Sequence, residues 1–270
     1  ARARLIRVLE RQEDFPQAML LAREAQLAPE SAAEQQHLLR VIPRLARKLG
    51  EPALPKVKPR DVVRLDLELP APEPPMSVAY CVQAHLSDDT APVHYVENSL
   101  INSLFGLLCW PAIFAPLPGS FFHPFQRGPA DLHSEDFHQR RAELFSACLD
   151  QLEDGRYLTT IRQRYAEKWG IQSPFVFWNV LSEDLLDQAL DCLPIAHLRR
   201  WFERLLLDIR ANRTGMPDLI QFWPEQKTYR MIEVKGPGDR LQDNQLRWLE
   251  FCGEHQMPVT VCYVRWAQQA

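Results

Sequence analysis

Three residues near the C-terminal end carry the strongest chemical signal: Asp218, Glu233 and Lys235. Asp218-Leu-Ile-Gln-Phe-Trp223 and Tyr229-Arg-Met-Ile-Glu-Val-Lys235 are both strand-like. Pro224-Glu-Gln-Lys227 between them is a polar turn, so the stretch predicts a hairpin. Alternate residues of a strand share a face, which puts Glu233 beside Lys235. With a four-residue loop and Trp223 opposite Thr228, Asp218 falls opposite Glu233. Two adjacent carboxylates each resist ionisation. A divalent cation relieves that conflict, and oxygen ligands favour a hard ion such as Mg²⁺ or Mn²⁺. Lys235 would then stabilise charge on a phosphate or orient a water. One residue of slip in the hairpin would throw Asp218 to the other face. An isolated Glu-x-Lys is more often a solvated strand face with a weak ion pair. Here the flanks make the pattern more specific. Gly215-Met-Pro217 precedes Asp218, and Gly236-Pro-Gly-Asp-Arg240 follows Lys235 as a tight turn into a helix.

The elements around these residues follow from periodicity. Leu241 to His255 reads as an amphipathic helix and Pro258 to Val264 as a β-branched, buried strand. Helical patterns run over about 134–153, 156–169 and 183–212, and a mostly apolar helix over 97–110. Residues 111–129 hold five prolines and few charges, as a loop packed on the surface would. Residues 51–75 hold seven prolines and read as a stiff linker, within which Val63 to Leu69 alternates as an edge strand. Residues 1–50 are helical. Pro16 suits a first turn, Ser31-Ala-Ala-Glu34 has capping-box spacing, and Gly50 is a natural stop after the stripe Leu38, Leu39, Ile42, Leu45 and Leu49. Pro43 interrupts that helix as a kink site. Two short helices joined by a turn resemble one unit of a helical repeat.

Composition narrows the class. The chain has 270 residues, 46% of them apolar and 24% charged, which suits one or two globular domains. A net charge of −4 excludes a simple basic DNA-coating protein, but not a nuclease whose metal-binding carboxylates offset a local basic patch. The six cysteines show no zinc spacing and sit in apolar stretches, as free buried thiols of a reducing compartment do. His133 and His138, five apart, do not have helical ligand spacing. There is no Walker-type phosphate loop, no supported Ser-His-Asp order, and no apolar run near the roughly 20 residues of a membrane span. The opening Ala1-Arg-Ala-Arg4, already helical in pattern, suggests a piece of a longer protein.

At these residues the chain resembles a known family. Gly215-Met-Pro-Asp218, then Glu233-Val-Lys235, then Gly236-Pro-Gly-Asp-Arg-Leu241 and Gln245 look like the VRR-NUC domain of the PD-(D/E)XK phosphodiesterase superfamily. The longer arrangement resembles the Fanconi-associated nuclease family in a bacterial-type form. Glu97-Asn-Ser-Leu-Ile-Asn-Ser-Leu-Phe-Gly106 through Trp110 resembles that family's active-site helix, which starts with a Glu. Pro129-Ala-Asp131 through Phe137 with Arg140-Arg141 resembles its insert. The resemblance implies a TPR-like helical segment at 1–50, the linker at 51–75, and a nuclease domain at 76–270 with a helical insert at about 111–180. The implied fold is α/β: a helical-repeat-like N-terminal region, then a restriction-endonuclease-like mixed sheet flanked by helices.

The resemblance also implies roles. Asp218, Glu233 and Glu97 would be metal ligands with the Val234 carbonyl, Lys235 the catalytic lysine, and Gln245 an orienting residue. The cofactor would be Mg²⁺ or Mn²⁺, as one or two ions. Taken alone, Glu97 reads as a helix-terminal acid, Gln245 as a solvated helix residue and Asp239 as an N-cap. Asn244 stands where some family members have a basic residue, so one contact to a terminal phosphate is in question. Arg199, Arg200, Arg204, Arg210 and Arg213 lead into the Asp218 strand with only Glu203 and Asp208 among them. A positive stripe there suits phosphate capture, against ordinary solvated pairing on a helix. Arg210 and Arg213, closest to the strand, and Arg240 in the turn are the DNA-contact candidates.

The expected activity is that of a metal-dependent, structure-specific DNA nuclease of the 5′-flap endonuclease or 5′–3′ exonuclease type, in interstrand crosslink repair. The alternatives are a Holliday-junction or general replication nuclease, and a helical-repeat binding module with a vestigial core. The intact Asp218, Glu233 and Lys235 set argues against decay. The implied partners are branched or flapped DNA and proteins at the helical repeats, not a membrane. The expected location is intracellular and DNA-associated, with a DNA-binding domain upstream of this chain.

Overall fold

A computed structural model describes residues 2–52 and 62–267. The chain divides into two compact units, Ala1–Asp61 and Val62–Ala270.

The first unit is three helices: α1 (Arg2–Arg11), α2 (Phe15–Leu27) and α3 (Ala32–Lys48). The expected pair of helices gains α1, whose buried Ile6 joins Ala22, Leu38 and Leu45 in one small core. Pro16 occupies the first turn of α2. Ser31 caps α3 by accepting from the Glu34 N–H at 3.1 Å. The reciprocal half of the capping box does not form. Arg2 binds the Glu34 carboxylate at 2.7 and 3.2 Å, and the Glu30 N–H donates to it at 2.7 Å. Pro43 does not end α3, which runs on to Lys48. Gly50, at φ +71°, follows its C-cap.

Part of the expected linker, residues 53–61, lies outside the described residues. The second unit opens on β1 (Val63–Leu69), α4 (Val78–Leu86) and β2 (Val93–Tyr95). Helices follow: α5 (Leu100–Leu108), α6 (Trp110–Ile113), α7 (Ala142–Leu149), α8 (Gln151–Asp154) and α9 (Arg156–Lys168). Then come α10 (Glu183–Cys192), α11 (Ile195–Leu207) and α12 (Ile209–Asn212). The single helical stretch expected over 183–212 is broken at Pro194, which lacks a donor, and at Asp208, whose side chain caps α12. The chain closes with β3 (Leu219–Trp223), β4 (Thr228–Lys235), α13 (Asp243–Glu254) and β5 (Val259–Trp266).

The five strands form one mixed sheet in the order β1-β5-β4-β3-β2. β1 is at an edge, as its alternation predicts. β5 runs parallel to both β1 and β4, whereas β3 is antiparallel to β4 and β2. The fold is thus α/β, a mixed sheet flanked by helices with a helical N-terminal region. Met231, Tyr229, Ile220 and Val261 face the large core with α5, α11 and α13. Leu219, Ile232, Val234 and Cys262 face a smaller one with α4. The period of two assigns those faces. Among the described residues no helix is long and apolar enough to cross a membrane.

Candidate active site

The hairpin β3–β4 forms in the register that the loop length predicts. Trp223 pairs with Thr228 and Leu219 with Ile232, which sets Asp218 against Glu233 at the strand mouth. Lys227, at φ +50°, turns the last residue of the four-residue loop. The Val234 N–H donates to Asp218 Oδ2 at 2.8 Å, fixing one carboxylate oxygen on the neighbouring strand.

Glu233 is almost fully buried, and neither of its carboxylate oxygens has an aligned hydrogen-bond donor. Lys235 Nζ comes within 2.7 Å of Oε1 as a buried ion pair. Burial first, then the charge of Asp218, push the Glu233 carboxyl up to about 7, against the pull of Lys235. Burial also raises Asp218; the Val234 N–H opposes it, and Glu97 and Asp239 add to it. Two adjacent carboxyls, both raised by burial and by neighbouring acids, are the arrangement a cation stabilises. The buried oxygens of Glu233, one of them paired with Lys235, are the donors such an ion would use.

Lys235 Nζ donates to Gln245 Oε1 at 3.1 Å, and the Gln242 N–H donates to the same oxygen at 2.9 Å. Gln245 therefore closes the first turn of α13 and holds the lysine in one step. Asp239 is not the N-cap of that helix. The cap is Gln242, because Asp239 Oδ2 accepts from the Gly236 N–H at 3.0 Å and closes the turn instead. Gly215 (φ +90°) lies against α13. A Cβ there would stand 2.8 Å from the backbone carbon of Asn244, next to Gln245.

Glu97 differs from expectation. It sits in the turn before α5, which starts at Leu100, and it is exposed. The Tyr95 hydroxyl donates to Glu97 Oε2 at 2.5 Å, and Tyr80 stacks on Tyr95 with ring centroids 5.3 Å apart. Its charge still reaches Asp218 and Glu233. Among the described residues, no three acidic, histidine or cysteine side chains already close a metal cage. Val234 lies between Glu233 and Lys235, with its side chain in the smaller core.

The arginines separate. Arg199 pairs with Glu153 and Glu203, and Arg200 with Glu203. Arg204 lies over the Trp248 and Phe251 rings, at 4.7 and 4.3 Å. Arg199 and Arg204 are held against the fold, whereas Arg200 is exposed in a surface ion pair. Arg213 is half-buried and donates to the Pro174 carbonyl at 2.5 Å. Arg210 and Arg240 are exposed.

Two residues that pattern-reading passed over organise the site. Asn98 Oδ1 accepts from the Met216 N–H at 3.0 Å. Asn102 Nδ2 donates to the Asn98 carbonyl at 2.7 Å and the Arg213 carbonyl at 2.9 Å. They tie the Glu97 turn to the segment that enters β3. A fully buried Asn on an apolar helix was the available signal.

The VRR-NUC domain family matches residues 152–266, a stretch holding Asp218, Glu233, Lys235 and Gln245 but not Glu97. The chain is 65% identical over 266 residues to a Fanconi-associated nuclease 1 homolog of Pseudomonas aeruginosa, covering 98% of this chain and 48% of that protein. It is 34% identical over 174 residues to Fanconi-associated nuclease 1 of Danio rerio, covering 62% of this chain and 18% of that protein. The solved structure of paFAN1 bound to 2nt 5′ flap DNA with a gap superposes with a TM-score of 0.97 at 64% identity, covering 100% of this chain and 49% of that one. The chain thus spans about half the length of its bacterial relative. By its domain match, its identity and its superposition, the chain belongs to the Fanconi-associated nuclease family.

Proposed function

We propose that the chain is the catalytic part of a metal-dependent, structure-specific DNA nuclease. The carrying observation is the buried Glu233 carboxylate, ion-paired to Lys235 and set against Asp218, with Gln245 alongside. Asp218 and Glu233 would hold Mg²⁺ or Mn²⁺, with Glu97 and the Val234 carbonyl completing the donor set. When bound, the ion supplies a nucleophilic water and stabilises charge on the phosphate.

The residues supply the rest. Lys235, fixed by Gln245, presents its positive charge to the phosphate where negative charge grows in the transition state. Tyr95 steadies Glu97 through its hydroxyl. The Val234 N–H aims one Asp218 oxygen and leaves the other free for ligation. Arg210 and Arg240 are the exposed guanidinium groups placed to meet backbone phosphates, and Arg213 braces the segment between them and the site.

The substrate is 5′-flap or related branched DNA, as the flap DNA bound to paFAN1 suggests. The reaction is flap endonuclease or 5′–3′ exonuclease cleavage in crosslink repair, at a DNA-associated intracellular location. Residues 1–50 form the helical-repeat segment for protein contacts, and 76–270 the nuclease domain with its insert at 111–180.

The test is cleavage of a labelled 5′-flap duplex with Mg²⁺ or Mn²⁺, beside Asp218→Ala and a chelator control. The expected result is metal-dependent cutting that Asp218→Ala lowers by at least about 10²-fold. Cutting that survives this substitution removes the assigned site. Holliday junctions in the same panel separate the alternative substrate.

A further inference from the structure

The segment from Ala115 to Ala130 contains three phenylalanines and a single charged residue, Arg127. Phe121 stacks on Phe114 and Phe114 on Trp110, with ring centroids 6.1 and 4.6 Å apart. Phe122 and Phe125, three residues apart on the same loop, are 75% and 88% exposed. Single exposed apolar residues are ordinary. Two rings projecting together from a pinned loop are not.

The loop is pinned chiefly by Gln126. Its Nε2 donates to the Ser120 carbonyl at 2.8 Å and the Gly128 carbonyl at 2.7 Å, and its Oε1 accepts from the Phe122 N–H at 3.0 Å. The base of the loop is fixed as well. Buried Arg141 donates to Ser120 Oγ at 2.7 Å. The backbone that carries the rings therefore has little ordering entropy left to lose on binding.

A chain of contacts joins the loop to the nuclease site. A Cβ on Gly128 would stand 2.9 Å from Pro174, whose carbonyl holds Arg213. The Arg213 carbonyl is held by Asn102, which also holds Asn98.

We propose that Phe122 and Phe125 stack on unpaired nucleobases of the DNA substrate, with Arg127 on an adjoining phosphate. This rests on the DNA-nuclease reading above. Every nucleobase offers a π-face, so projecting rings bind unpaired DNA without reading its sequence. The only charge on the loop is positive, which suits a polyanion.

The test measures binding in EDTA, so that metal-dependent cutting does not intervene. The probe is a gapped 5′-flap duplex carrying 2-aminopurine at an unpaired position, beside a fully paired duplex of the same length. Phe122→Ala and Phe125→Ala should each weaken flap binding roughly tenfold and relieve 2-aminopurine quenching, with paired-duplex affinity unchanged. Phe→Tyr at either position should restore both readouts, and Phe→Leu should restore neither. Unchanged flap binding by the Ala variants overturns the proposal. So does an equal loss on paired DNA, or full rescue by Leu, which would mark an apolar protein-docking site. Flap cutting that depends on Asp218 stands whatever the loop does, so failure here leaves the nuclease reading intact. Absence of any DNA binding by the unaltered chain overturns both.

Discussion

Glu233 is the residue on which the site's electrostatics turn. Its carboxyl is pushed up to about 7, mainly by burial and then by Asp218. The fold therefore prefers it protonated. Its contribution to metal-free stability is fully present below the ordinary glutamate range and is lost as pH rises through about 7. A cation needs the ionised form, so its binding releases a proton. Affinity should rise up to about tenfold per pH unit below that value and level off above it. Calorimetry in buffers of different ionisation heat reads the released proton directly. A proton count near zero across the neutral range would contradict the raised carboxyl. The Glu-x-Lys spacing placed these two residues on one face. Burial of both, and the loss of aligned donors on Glu233, came only from the packing of helices over that face.

At the scale of elements, the site is a junction of β3, β4, α13 and the turn before α5. Hairpin register was readable because a four-residue polar loop and period-two faces leave one consistent pairing. The start of α13 was less readable, since Asp239 is a good cap by type and lost that place to Gln242 by closing its own turn. Gly215 sets how closely the β3 entry approaches α13. Gly215→Ala forces a Cβ to 2.8 Å from Asn244 at φ +90°. It should cost about 1–3 kcal/mol and weaken metal binding by displacing Gln245. Denaturant unfolding with a metal titration checks this; an Ala variant matching the parent in both would show that the junction yields freely.

For the second unit as a whole, one core gathers residues from Val96 to Val261, so the segment around Phe137 and Phe145 folds with the nuclease site rather than apart from it. Arg141 is buried in that core, bound by Asp131 at 2.8 and 3.0 Å and stacked on Phe137 at 4.2 Å. Burial pushes Asp131 up, but the hydrogen bonds from Arg141 and Ser120 outweigh it and keep the carboxylate below its usual range. Asp131→Ala leaves a buried guanidinium without its counter-charge and should cost about 3–5 kcal/mol, read as a lower denaturant midpoint. A loss well under about 1 kcal/mol would mean that water replaces the carboxylate. The sequence marked Asp131, Arg140 and Arg141 only through family resemblance, because an Asp and an Arg ten residues apart carry no periodic signal.

What the sequence alone determined was local: strand faces, hairpin register, the helices over 156–169 and 241–255, and the Asp218, Glu233 and Lys235 set. These depend on alternation, turn chemistry and spacing, which act over a few residues. The tertiary structure decided what depends on distant contacts. It broke the Ser31 box because Arg2 reaches Glu34. It set Glu97 ahead of its helix, bonded to Tyr95. It gave Asn98 and Asn102 their bridging role and separated the packed arginines from the exposed ones. Desolvation and long-range hydrogen bonds arise only when segments more than a hundred residues apart come together, as Asn98 and Met216 do.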